Sequence, residues 1–282
     1  MKVITSVKDL IATRIELQTQ DKKIGFVPTM GALHEGHISL VNSSVENNDL
    51  TIASVFVNPK QFNDKNDFEN YPINHDADIK MLEAIGCDFV FIPQGDDVYN
   101  NYSGIKMDFE GLDGIFEGEF RPGHFQGVVD VVYRLFDLVK PHRAYFGQKD
   151  FQQLAVIKKM VKCKELNIEI ISCPIVREEN GLAMSSRNER LTTKQRSDAA
   201  VIYSTMSRIG NGMKVGGLTS GHVDIFIEEL KKVADMSPEY CVFCHPDTLQ
   251  EIKKVEKDAV IVMCVAVWCA KVRLIDNIIL EF

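Results

Sequence analysis

Between residues 24 and 172, short apolar runs alternate with stretches whose apolar positions recur every three or four residues. Runs at residues 24–27, 50–57, 89–92, 144–146 and 168–171 have strand length and are punctuated by turn-forming residues. Between them the period is helical. Val128, Val129, Val132, Leu135, Phe136 and Val139 fall on one stripe, while Arg134, Asp137 and Lys140 fall off it. From Phe151 to Cys163, Leu154, Ile157 and Val161 form a second stripe, with Lys158, Lys159 and Lys162 off it. Strand and helix in alternation predict an α/β fold, a doubly wound parallel sheet covered on both faces, whose ligands sit at the carboxyl ends of strands. Beyond Val176 the pattern changes to a polar loop, two helical stretches near residues 192–208 and 222–234, and three strand-like runs ending at Leu280. That order predicts a smaller α+β C-terminal domain, with domains at 1–175 and 176–282.

Composition narrows the function. Against 40 Asp and Glu stand 32 Lys and Arg, a formal net charge of -8, which disfavours a dedicated nucleic-acid binder because such binding starts from a basic patch. The longest apolar run, Ala259 to Ala270, is too short for a transmembrane helix of about 20 residues and reads as a buried strand. Charged Lys2 and Lys8 flank only a brief apolar stretch, so no signal peptide is expected. Seven scattered cysteines without a paired framework predict reduced thiols and a cytoplasmic protein without membrane partners. Cys241, Cys244 and His245 match the C-x-x-C-H pattern of haem attachment, but they lie in an apolar stretch. Packing is the reading that context supports.

Four segments carry candidate chemistry. The first strand leads into Met30, Gly31 and the tetrad His34-Glu35-Gly36-His37, then into a helix marked by Ile38, Val41 and Val45. A glycine-containing loop at a helix N-terminus favours phosphate, and two imidazoles three residues apart would face the same volume, able to oppose growing phosphoryl charge. The zincin spacing, with histidines four apart, is not met. Gly147-Gln148-Lys149-Asp150 follows another strand and opens a helix: a lysine there supplies point charge for phosphate, and Asp150 either caps the helix or accepts from a ribose. In Met184-Ser185-Ser186-Arg187, after the Asn180-Gly181 turn, hydroxyls and an arginine on a loop can fold over a polyphosphate. Gln61, after a further strand end, offers both donor and acceptor to a small polar substrate.

With Arg121-Pro122-Gly123-His124-Phe125, Phe56-Val57-Asn58-Pro59, Gln152-Gln153 and Arg273-Leu274-Ile275-Asp276-Asn277, these segments form an ordered set spanning nearly the whole chain. The set resembles the pantothenate synthetase (pantoate-beta-alanine ligase) family of the HxGH nucleotidylyltransferase superfamily. The resemblance implies a Rossmann-like nucleotide- and pantoate-binding domain, a C-terminal lid and a homodimer. It implies ATP-dependent condensation of pantoate with beta-alanine through a pantoyl adenylate, releasing diphosphate and then AMP. His37, as proton donor, His34 and Lys149 would be catalytic. Met30, Gly31, His34, His37, Gly147, Gln148, Lys149, Asp150, Val176, Met184, Ser185, Ser186 and Arg187 would bind ATP, and Gln61 and Gln153 would bind pantoate. Mg2+ would accompany ATP.

The chain departs from the family pattern at Ile73, Ala77, His142 and Gln148. Ala77 stands where a carboxylate sometimes linked to magnesium is found, so no metal ligand is assigned. The nearest rival is another HxGH-type adenylyltransferase acting on a different small carboxylate or phosphate.

Overall fold

The computed structural model describes residues 1–63 and 65–282. They divide into two compact units, Met1–Gly147 with Gln152–Pro174, and Gln148–Phe151 with Ile175–Phe282. The tetrapeptide Gln148–Phe151 thus groups with the C-terminal residues although it follows a strand of the first unit.

In chain order the first unit contains β1 (Lys2–Ile4), α1 (Val7–Gln18), β2 (Ile24–Thr29), α2 (Glu35–Asn47), β3 (Leu50–Val55), a 3₁₀ turn (Pro59–Gln61), α3 (Lys65–Glu69) and α4 (His75–Ala84). It continues with β4 (Phe89–Phe91), α5 (Glu117–Phe120), α6 (His124–Val139), β5 (Arg143–Gly147), α7 (Phe151–Cys163) and β6 (Glu169–Cys173). The six strands form one sheet in the order β1-β4-β3-β2-β5-β6, and every pairing is parallel. Neither β1 nor α1 stands out in the hydrophobic pattern. β1 is a three-residue edge strand that buries only Ile4, too short to show a period.

β2 is the centre of this sheet, and its side chains explain why both faces are covered. Phe26 is fully buried and meets Phe136 of α6 edge-to-face at 6.3 Å, while Val27, on the opposite face, packs with Leu40 and Val41 of α2 and Leu82 of α4. From β2 the chain adds β3 and β4 on one side; β5 and β6 then build on the other. The reversal at β2 and β5 is a topological switch point, where connections leave in opposite directions and open a crevice beyond the strand ends.

The second unit holds α8 (Thr193–Asp198), α9 (Val201–Gly212), α10 (Ser220–Lys231), β7 (Met236–Cys244), β8 (Val260–Cys269) and β9 (Val272–Glu281). The strands form an antiparallel sheet in the order β7-β8-β9. Ile202, Met206, Ile209, Phe226 and Leu230 of the helices pack with Ile261, Met263, Val265 and Val267 of β8. The helical pattern near residues 192–208 resolves into two helices. α8 buries none of its residues and is held by the Thr192/Gln195 capping box, whereas α9 buries Ile202, Thr205, Met206 and Ile209.

Cys241 and Cys244 lie on β7, where burial pushes the Cys241 thiol up to about 12 and Cys244 is buried. His Nδ1 of residue 245 accepts from the backbone N–H groups of Asp247 and Thr248. The raised Cys241 thiol, the buried Cys244 and the turn-capping imidazole are arranged as packing and capping groups. Among the described residues, no group of three or more His, Cys, Asp or Glu could hold a metal ion, and no helix is long and apolar enough to cross a membrane.

Candidate active site

At the carboxyl end of β2 the chain turns through Gly31, at φ +84°, and Ala32, at φ +50°. A side chain at Gly31 would meet Val55 Cγ1 at 2.8 Å and Asp78 Oδ2 at 2.9 Å, so the left-handed backbone and the lack of space both call for glycine. Thr29 Oγ1 donates to the Ser54 carbonyl at 2.7 Å and accepts from the Gly31 N–H at 3.2 Å. The buried Asp78 carboxylate, on the first turn of α4, accepts from the N–H groups of Ala32 at 3.1 Å and Leu33 at 2.8 Å. The turn before the histidines is therefore tied to two neighbouring elements.

His34 is the N-cap of α2. Its Nδ1 accepts from the Gly36 N–H at 3.1 Å, and His37 Nδ1 accepts in return from the His34 N–H at 3.4 Å, a reciprocal capping box made of two imidazoles. The ring centroids are 4.1 Å apart. A neutral imidazole that accepts through Nδ1 carries its proton on Nε2, so each ring becomes an N–H donor at its outer nitrogen. The expectation of bare helix N–H groups facing a phosphate is changed by this: the Gly36 N–H is used by the His34 ring. At this end the two Nδ1 atoms are committed to the cap, which sets the proton of each neutral ring on Nε2.

Gln61 ends the 3₁₀ turn after β3, and its amide polarity is set by its neighbours. The Asn58 amide is fixed by backbone groups, because Oδ1 accepts from the Lys60 N–H at 3.2 Å and Nδ2 donates to the Gly127 carbonyl at 3.1 Å. Asn58 Nδ2 also donates to Gln61 at 3.2 Å, which makes that atom Oε1 and leaves Gln61 Nε2 against Met30 Sδ at 2.8 Å. Tyr99 Oη donates to Asn58 Oδ1 at 2.8 Å, and burial first, then the charge of Asp130, pushes the Tyr99 pKa well up, so the hydroxyl stays a donor. Gln61 thus turns a donor towards Met30, bringing these two candidates into contact. His124 Nδ1 lies 2.7 Å from the Gln61 carbonyl, which only accepts, so His124 carries its proton on Nδ1. Gln152 is structural: its amide donates to the carbonyls of Leu112 and Ile115 and accepts from the Glu117 N–H. Gln153, next to it in the chain, is half-buried.

In the second unit the candidates are joined by hydrogen bonds. The Met184 N–H donates to the Val176 carbonyl at 3.0 Å, and Arg177 and Ala183 form an antiparallel bridge, so Val176 and Met184 stand side by side. Ser185 Oγ accepts from the Arg187 N–H at 3.3 Å and caps the turn Ser186–Arg190. Asn188 donates to the Ala183 carbonyl and to Glu178. Arg177 makes two hydrogen bonds to Asp276, at 2.6 and 2.9 Å, another to the Gly181 carbonyl, and lies over the Tyr203 ring at 3.6 Å. The neighbouring Asn277 side chain donates to the carbonyls of Gln148 and Lys149. Sequence reading gave no role to Asp78, Asn58, Tyr99, Arg177 or Asn277. Asn58, Asp276 and Asn277 did lie inside family-like segments, the one signal that pointed to them.

A parallel α/β sheet whose switch point carries a glycine turn, paired imidazole donors and a polarised glutamine is laid out as an enzyme for phosphate-bearing and carboxylate substrates. The comparisons specify which. The model of the pantoate-beta-alanine ligase family matches residues 2–279. A pantothenate synthetase of Bacteroides fragilis is 47% identical over 279 residues, covering 99% of this chain and 98% of the relative. That of Acetivibrio thermocellus is 43% identical over the full length of both. The crystal structure of pantothenate synthetase from Thermus thermophilus superposes with a TM-score of 0.90 at 38% identity, over 99% of each chain. A Francisella tularensis pantoate-beta-alanine ligase, complexed with beta-gamma ATP and beta-alanine, superposes with a TM-score of 0.81 at 35% identity, over 99% of this chain and 97% of that one. The chain belongs to the pantoate-beta-alanine ligase family and is a ligase.

Proposed function

We propose that this chain joins pantoate to beta-alanine in two steps, with residue roles carried over from the family resemblance and supported by the geometry above. In the first, a pantoate carboxylate oxygen bonds to the α-phosphorus of ATP as the bond to diphosphate breaks. In the second, the beta-alanine amine attacks the acyl carbon of the mixed anhydride, AMP departs and the amine loses a proton. Adenylation replaces an oxide leaving group with AMP, so the protein's contribution is alignment and charge stabilisation.

The observation that carries this reading is the paired imidazole cap. Nδ1 acceptance by both His34 and His37 fixes two Nε2–H donors in one place, suited to phosphoryl oxygens whose charge grows as the diphosphate leaves. His37 is assigned as the proton donor. Met30 and Gly31 are assigned to the wall of the nucleotide site. Gln61, with its amide Nε2 set as a donor beside Met30, and Gln153 are assigned to pantoate, whose carboxylate and hydroxyl oxygens accept hydrogen bonds. Gly147, Gln148, Lys149 and Asp150 are assigned to phosphate and ribose, and Val176, Met184, Ser185, Ser186 and Arg187 to the nucleotide. The second unit is assigned the lid role. Mg2+ is assigned to enter with the ATP phosphates, whose oxygens it takes as ligands. A homodimer completes the proposal, and sedimentation equilibrium tests it.

The deciding experiment is ATP–diphosphate exchange. Exchange that depends on pantoate and proceeds without beta-alanine is expected, because the adenylate forms first. Exchange supported by another small carboxylate and not by pantoate would move the chain to the rival adenylyltransferase reading.

A further inference from the structure

Asn277 is a buried strand residue whose hydrogen bonds serve another segment. It lies on β9, 2% exposed, paired in register with Cys264 of β8. Its Nδ2 donates to the carbonyl oxygens of Gln148 at 2.9 Å and Lys149 at 3.0 Å, while its Oδ1 is buried without a hydrogen-bond partner among the described residues. A buried amide with an unsatisfied acceptor costs stability, so the core alone does not account for it. Two consecutive carbonyls turned to one side have a geometric consequence. In a trans peptide the C=O of one residue and the N–H of the next point in opposite directions, and the peptides of this segment are trans. The N–H groups of Lys149 and Asp150 therefore point away from Asn277, side by side at the start of α7, the arrangement by which backbone donors cradle an anion.

Asn277 is itself held in place. Its N–H donates to Asp276 Oδ1 at 2.8 Å, and its carbonyl accepts from Arg177, whose guanidinium also grips Asp276 and the Gly181 carbonyl. Asp276 and Asn277 face opposite sides of the strand, so a single dipeptide braces the Arg177 loop on one side and the Gln148-Lys149 peptide on the other.

We infer that Asn277 is a positioning residue for adenylation: by holding the Gln148 and Lys149 carbonyls it turns the Lys149 and Asp150 N–H groups, together with the Lys149 ammonium, to the nucleotide phosphates. This rests on the nucleotide assignment of the preceding subsection. The role differs from packing because it acts through Lys149.

The test is a double-mutant cycle read by pantoate-dependent ATP–diphosphate exchange, with folding of each variant checked by urea unfolding. Asn277→Ala removes the donors, and Asn277→Asp keeps the shape but faces two carbonyls with an acceptor. Each is expected to lower the exchange kcat or raise the ATP KM on the order of 10-fold or more, the scale of a small misplacement of reacting groups, with the pantoate KM changed less than about 3-fold. In a Lys149→Ala background, where the ammonium is gone and the two backbone N–H groups remain, the same substitutions are expected to cost measurably less than in the wild-type background. An equal loss in both backgrounds, a loss confined to the pantoate KM, or normal kinetics overturns the inference. If neither variant folds, Asn277→Ser, which keeps one donor, is carried through the same cycle with the same criteria. Wild-type protein without pantoate-dependent exchange overturns the reaction assignment instead, so the two failures are distinguishable.

Discussion

The carboxylate of Asp78 accepts a 2.8 Å hydrogen bond from the backbone N–H of Leu33, one residue before the capping histidine. With the 3.1 Å bond from Ala32, it ties the loop that presents both imidazoles to the first turn of a helix distant in sequence. Charge-assisted bonds of this type hold a backbone more firmly than neutral ones.

Asp78→Ala is accordingly expected to leave two loop N–H groups without their acceptor and to lower stability by about 3 kcal/mol, each unsatisfied buried donor costing about 1–3 kcal/mol. Adenylation falls with it because the histidines lose their register. Asp78→Asn, which retains one acceptor oxygen, is expected to cost about half as much. Urea unfolding followed by exchange kinetics checks both, and an Ala variant of normal stability would contradict the account of the loop.

His34 both caps α2 and presents a donor, and one substitution separates the two. Asn is a strong N-cap, so His34→Asn is expected to keep the stability that His34→Ala loses, about 1 kcal/mol. Both variants lose the Nε2–H and are expected to lose adenylation alike. Full activity in His34→Asn would reduce the residue to a cap.

Removing one donor to the developing phosphoryl charge costs on the order of 3 kcal/mol, about 10²-fold in rate. His37→Ala and Lys149→Ala are each expected to show that loss in single-turnover adenylation with a native circular-dichroism spectrum. Near-normal adenylation would refute the roles assigned to them.

A methyl group at Gly127 would collide with the carbonyl oxygen of Lys60, inside the turn that carries Gln61. Gly127→Ala is expected to destabilise by about 1–3 kcal/mol through overpacking and to raise the pantoate KM more than the ATP KM. Steady-state kinetics at varied concentrations of each substrate measure the difference; an effect limited to ATP would contradict the placement of Gln61.

Stability is expected to decline in mildly alkaline solution. Burial raises the Cys87 thiol from an ordinary 9.0 to about 11 and Cys241 to about 12, and raises the Tyr99 and Tyr102 hydroxyls as well. Below their unfolded values all four groups are protonated in both states and the stability is fully present. Above about pH 9 the unfolded chain releases thiol protons that the folded chain retains, so stability falls as pH rises towards 11–12, by at most about 1.4 kcal/mol per pH unit for each group. Urea midpoints between pH 8 and 11 read the slope, and Cys241→Ala is expected to flatten it.

The central strands were legible because both of their faces are buried: the run around Phe26 and Val27 carries its own signal, as does the stripe Val128 to Val139. β1 was not, since three residues at a sheet edge hold no period. Nor was the break between α8 and α9, which depends on which segment reaches the core. Loop chemistry shows the same division. His34 and His37 can be read as a pair from their spacing, but that both spend Nδ1 on capping the same helix N-terminus is a matter of ring orientation.

The sequence by itself determined the class of fold, the order of the motifs and the kinds of side chain that meet phosphate and carboxylate, because periodicity, turn residues and chemical type are local properties of the chain. Tertiary structure alone decided which atoms of those side chains are used. The Gln61 amide is polarised by Asn58 and Tyr99, the histidine loop is gripped by Asp78, and the Lys149 peptide is held by Asn277. The last of these partners lies 128 residues away from Lys149 in the chain. Hydrogen bonds across such separations are fixed by packing, and no local pattern encodes them.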